Sequence, residues 1–135
     1  MDITEADVAR IPRTNLRQPR AEFVAVWAAA EQRCAADWYA AGVAVTCRWL
    51  ATATFRSVNG RWSAAYAPVT RRTARAYEEL IEAEYLAAEK LDLRRPRPRW
   101  LVEQPGWIEG ICATLRWAWR RCGPPPMELV ERAAG

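Results

Sequence analysis

Residues 21–53 read AEFVAVWAAAEQRCAADWYAAGVAVTCRWLATA, and this stretch decides the fold class. Helix formers dominate it and no proline interrupts it. Gly42 is its one weak position, costing about 1 kcal/mol relative to alanine in a helix. At roughly 100° per residue, Trp27, Cys34, Trp38, Ala41, Val45 and Trp49 fall on one stripe. Tyr39, Val43, Cys47 and Leu50 cover much of the remainder, which predicts a central helix, either continuous or broken near residues 35–37.

Working outward, residues 1–20 hold Pro12, Pro19 and a run of arginines at 10, 13, 17 and 20, and read as an extended basic arm with at most a helical turn near Thr4–Ala9. Downstream of the central stretch, Asn59-Gly60 is a hairpin-turn dipeptide between Phe55, Val58 and Trp62. It predicts a small β-hairpin or a loop on the surface. A helix is expected from about Thr70 to Leu93, capped by Thr70 and striped by Tyr77, Leu80, Ile81, Ala88 and Leu91. Arg94–Arg99 follows as an extended, proline-spaced connector. A last helix is expected from Pro105 to Gly123, with Ile108, Ile111, Leu115, Trp119 and Cys122 as its core stripe. The expected architecture is all-α, a three- to four-helix bundle: an arm over 1–20, one helical domain over 21–123 and a proline-rich tail over 124–135. No internal repeat is read from the chain.

The composition narrows the function. The 135 residues include eight tryptophans and no histidine, with a net charge of +4. Tryptophan suits cores and interfaces, whereas the commonest general base and metal ligand is missing. Without histidine there is no Ser-His-Asp or Cys-His arrangement, and the scattered glycines form no phosphate loop. Cys34, Cys47, Cys112 and Cys122 lack zinc spacings and read as small buried hydrophobes, so neither metal nor cofactor is expected. The acidic start resembles no secretory signal, and Arg48 interrupts the most apolar stretch, which argues against a membrane span. The expected setting is the cytoplasm.

Polar residues that break the pattern supply the candidate sites. Glu84 and Arg48 fall within apolar helices, where a lone charge is costly. They are expected to meet each other between helices, with Glu31 as a third member, either as an ion pair that fixes register or as a polar pocket for a small ligand. Trp117 and Trp119 are two apart and cannot share a helix face. With Trp119 assigned to the core beside Trp27, Trp38 and Trp49, Trp117 projects beside Gly110 and Ala113 and is rimmed by Arg120 and Arg121, the composition of an interface. Arg71, Arg72 and Arg75 crowd a helix start, which disfavours cations. With Arg94, Arg95, Arg97 and Arg99 they form a candidate anion or nucleic-acid surface. The leading expectation is a non-enzymatic protein working by contact with another protein or with itself. Nucleic-acid binding is the alternative, and a ligand pocket at Arg48 and Glu84 the third reading.

Overall fold

The computed structural model describes residues 1–129. The fold is mostly helical, with one small antiparallel sheet. In chain order the helices are α1 (Glu5–Ala9), α2 (Arg20–Arg33), α3 (Trp38–Leu50), α4 (Glu78–Leu93), α5 (Arg99–Val102) and α6 (Trp107–Ala118), with a 3-10 turn at Arg13–Asn15. The strands β1 (Thr54–Arg56) and β2 (Trp62–Ala64) form a ribbon between α3 and α4. Its register pairs Phe55 with Ser63 and Arg56 with Trp62, and Asn59-Gly60 lies in the connecting loop as the dipeptide predicted.

The 21–53 stretch breaks into two helices because Asp37, in an extended conformation, accepts a hydrogen bond from the Tyr39 backbone N–H and caps α3. The break resets the helical phase, and of the predicted stripe on α3 only Trp49 is fully buried. Trp38 is 46% exposed, and Ala41 and Val45 are only partly covered. The buried face is instead Gly42, Val43, Thr46, Cys47, Trp49 and Leu50. It packs on α6 in the most extensive helix pairing of the molecule.

That pairing is set by two glycines. A Cβ on Gly42 would run into the Trp107 carbonyl oxygen, and one on Gly110 into the Tyr39 carbonyl oxygen. Each glycine thus meets the backbone three residues before the other, a reciprocal arrangement. One turn on, Thr46 donates its hydroxyl to the Gly42 carbonyl at 2.8 Å and Thr114 donates to the Gly110 carbonyl at 2.7 Å. The reciprocity continues into the sequence: residues 42–49 are GVAVTCRW and residues 110–117 are GICATLRW. The partner helices match as well, AVWAAAE at 25–31 against AEYLAAE at 83–89. Arg48 is bidentate on Glu31, as Arg116 is on Glu89. The chain therefore contains one two-helix unit twice, α2–α3 and α4–α6, and the non-repetitive reading is corrected.

Three other expectations change. The 1–20 segment is not a free arm. Thr4 and Asp7 form a capping box on α1, Ile11 is buried, and the Asn15 amide donates to the Leu50 and Ala76 carbonyls. Helix α4 starts at Glu78 rather than Thr70, because Arg71 takes a left-handed φ of 61° and hydrogen bonds from Arg71 N–H to the Ala67 carbonyl and from Ala67 N–H to the Arg72 carbonyl close the segment into a loop. Glu78 and Glu79 then occupy its first turn, where negative charge is favoured. Helix α6 starts after Gly106, whose φ of 96° suits glycine. In the proline-rich tail Pro126 and Met127 are buried; residues 130–135 lie outside the described residues.

Candidate functional site

The buried charges separate into two clusters, and the expected Arg48–Glu84 pair does not form. Arg48 pairs with Glu31, donating through Nε to Oε2 at 2.7 Å and through Nη2 to Oε1 at 2.6 Å. Glu31 Oε2 also accepts from the Trp27 indole N–H at 2.9 Å, and Oε1 from the Met1 ammonium at 3.1 Å. Burial alone would push the Glu31 carboxyl up. The Arg48 guanidinium, by hydrogen bond and charge, with the Trp27 and N-terminal donors, outweighs this and holds it below its ordinary value. The same pairing raises Arg48. Phe55 of the ribbon lies beside the guanidinium, 5.3 Å from ring centre to Cζ.

Glu84, only 2% exposed, serves a loop. Its Oε2 accepts from the Val69 and Thr70 backbone N–H groups at 2.6 and 3.0 Å, and its Oε1 from the Thr70 hydroxyl at 2.7 Å. Three donors, two of them non-side-chain, satisfy the buried carboxylate without a cation. Two of the three donors missed by sequence reasoning are backbone N–H groups, which leave no residue-type signal; the third is the Thr70 hydroxyl.

The contact surface expected on α6 is rearranged. Trp117 is 3% exposed and belongs to the core, in the place Trp49 holds in the first unit. Gly110 is consumed by the α3 crossing, and Ala113 is half-buried. Trp119, beyond the end of α6 at Ala118, packs only partly buried against the core: its indole donates to Glu82 at 2.8 Å and Arg17 stacks on its ring at 4.2 Å. Arg120 pairs with Glu82 and covers Tyr85, while Arg121 donates to the Arg17 carbonyl. A match of G-x-x-x-T-x-R-W at 42–49 and 110–117 was the available signal that Trp117 is a second Trp49.

The basic residues divide. Arg97 bridges Asp92 and Glu109 at 2.8 and 2.9 Å, and Arg99 pairs with Glu103. Arg95 donates to the Asp92 and Arg94 carbonyls. Arg71, Arg72, Arg75 and Arg94 are exposed and have no carboxylate partner among the described residues. The first three stand in the 65–77 loop, not on a helix start.

The ribbon folds over α3 and leaves two clefts that share Arg48 and Phe55. One, of about 710 Å³, opens toward Asp7, Arg10, Arg56 and Trp62. The other, of about 320 Å³, is lined by Tyr66, Arg71, Gln104 and Trp107. No group of three or more Cys, Asp or Glu residues is arranged to hold a metal among the described residues, and no described helix is long and apolar enough to cross a membrane.

The thiols differ sharply. Burial pushes Cys112 up to about 12 and Cys47 higher still. Cys122 is exposed and Cys34 half-covered. A thiol reagent at neutral pH is expected to modify Cys122 first and Cys34 more slowly, with Cys47 and Cys112 reacting only on denaturation; mass spectrometry of the labelled peptides reads the order. No protein-family model, curated protein or solved structure matches this chain.

Proposed function

We propose that this chain is a small helical-bundle protein without catalytic activity that works by contact with another protein, as an adaptor, regulator or assembly subunit, through the outer face of the ribbon. The observation that carries the reading is the apolar surface there: Trp62 is 68% exposed and Val58 fully exposed at the ribbon tip. Arg56 lies over Trp62 at 5.8 Å. A tryptophan covered by arginine and left in solvent has the composition of an interface hot spot. Strand alternation sets Thr54, Arg56, Trp62 and Ala64 on this outer face and Phe55 and Ser63 on the inner one.

The test is a tagged pull-down from the native host's lysate with nuclease present, wild type beside Trp62→Ala. A stoichiometric protein partner that the substitution releases, with the circular dichroism spectrum unchanged, supports the reading. Retention of every partner by Trp62→Ala removes the ribbon from it. Dependence of all capture on nucleic acid, with the steep salt sensitivity of phosphate contacts, transfers the reading to Arg71, Arg72, Arg75 and Arg94.

A further inference from the structure

The smaller cleft behind the ribbon has the chemistry of a binding site for a small aromatic carboxylate. Its walls come from four separate parts of the chain: Arg48 from α3, Phe55 from β1, Tyr66 and Arg71 from the loop after β2, and Gln104 and Trp107 from the entry to α6. Three aromatic rings and two guanidiniums therefore converge on about 320 Å³, the lower end of the range for small-ligand pockets. That volume fits one or two fused rings and excludes a dinucleotide.

Both guanidiniums keep donors for a ligand. Arg48 spends Nε and Nη2 on Glu31, and its Nη1 makes no hydrogen bond among the described residues. Arg71 has neither a carboxylate partner nor a side-chain hydrogen bond there, and its guanidinium lies 5.7 Å from the Tyr66 ring centre. A planar guanidinium is matched to a carboxylate in a way a point charge is not.

Arg71 is also held where it stands by a loop whose base, Ala67, is buried in the core. Its φ is 61°, the left-handed region that residues other than glycine, asparagine and aspartate rarely enter. The loop is locked there by hydrogen bonds from Arg71 N–H to the Ala67 carbonyl and from Ala67 N–H to the Arg72 carbonyl. From beneath, the buried Glu84 carboxylate grips Val69 and Thr70. Strain at a non-glycine residue on a pocket rim is the kind that persists at ligand sites. We infer that this cleft binds a small planar aromatic acid, its ring between Phe55, Tyr66 and Trp107 and its carboxylate on Arg71 and the free edge of Arg48.

The probe is indole-3-acetate, titrated into the full chain and followed by calorimetry and by the indole N–H resonance of Trp107. Indole-3-acetamide, equal in shape and uncharged, is the control. Saturable binding of the acid is expected, with the amide weaker by about tenfold or more, the worth of one charge-assisted contact. Arg71→Gly removes the guanidinium and relieves the left-handed backbone, so its melting temperature should not fall while its affinity for the acid drops by about tenfold or more. Trp62→Ala lies on the outer face and should bind the acid like the wild type, so loss of protein contact and loss of ligand are read separately. No saturation at millimolar acid, equal binding of acid and amide, or undiminished binding by Arg71→Gly would overturn the inference.

Discussion

Gly110→Ala is expected to destabilise the protein by about 3 kcal/mol, the upper part of the range for overpacked sites, and Gly42→Ala by a similar amount. In an exposed helix the same change would stabilise by about 1 kcal/mol through propensity, so the sign alone is diagnostic. Here the new methyl group on Gly110 meets the Tyr39 carbonyl oxygen, with the Tyr39 carbonyl carbon and the Val43 nitrogen both at 3.2 Å. On Gly42 it meets the Trp107 carbonyl group and the Ile111 nitrogen at 3.3 Å. All of these obstacles are backbone atoms and cannot rotate aside. Relief requires α3 and α6 to move apart, which strips contact from Val43, Cys47, Ile111 and Leu115, all at most 2% exposed. Against a total stability of roughly 5–15 kcal/mol, a Tm lower by about 10 °C follows. The double variant should cost less than the sum, because one separation accommodates both methyl groups. Differential scanning calorimetry of the two single variants and the double measures this, and a raised Tm in either single variant would dismiss the close crossing.

Those glycines also show why the sequence was legible in its elements and not in its facing. Helix content, the ribbon at Asn59-Gly60, the break before Asp37 and the end of α4 at Leu93 all have local causes, caps and turn residues, that a sequence displays. The buried side of α3 does not. A stripe drawn through large apolar residues selects Trp38, Ala41 and Val45, yet helices approach most closely where side chains are smallest. That places Gly42 and Thr46 at the centre of the contact and leaves Trp38 in solvent. On α6 the same error exchanges Trp117 and Trp119. Reading the two G-x-x-x-T-x-R-W segments against each other would have corrected both helices at once. The need of Arg48 and Glu84 for partners was legible from burial. Of their partners, Glu31 could be named because it is a side chain on a recognisable helix. The loop N–H groups that bind Glu84 could not, since any residue type supplies them. The Arg48–Phe55–Arg71 cleft stayed hidden for a further reason: its walls run from Val45 to Trp107 in the chain, and only the fold brings them together.

The duplication supplies an internal control for the second large effect, loss of the Glu31 carboxylate. Glu31→Gln leaves the Arg48 guanidinium without its counter-charge at a site where the two side chains are 19% and 3% exposed. Removing one member of a buried pair costs about 3–5 kcal/mol, and the partial exposure of Arg48 sets the expectation at about 3 kcal/mol. The equivalent pair in the second unit, Arg116 with Glu89, is 40% and 25% exposed. Solvent screens it, so Glu89→Gln should cost about 1 kcal/mol or less. A dependence on pH distinguishes charge from shape. The Glu31 carboxyl is held below its ordinary value of 4.5 in the folded chain, so its ionisation stabilises the fold fully above that value. This contribution fades as pH falls below 4.5 toward the lowered folded-state value, because the unfolded chain takes up the proton first. The gap in unfolding free energy between wild type and Glu31→Gln, measured by urea titration, should therefore be constant near neutral pH and narrow progressively below about 4.5. No gap at neutral pH would mean that Glu31 supports the fold by packing and hydrogen-bond acceptance, both of which glutamine largely retains; a gap that stays flat down to pH 3 would mean that the loss does not come from the carboxylate charge; and equal losses for Glu31→Gln and Glu89→Gln would mean that burial does not separate the two copies of the pair.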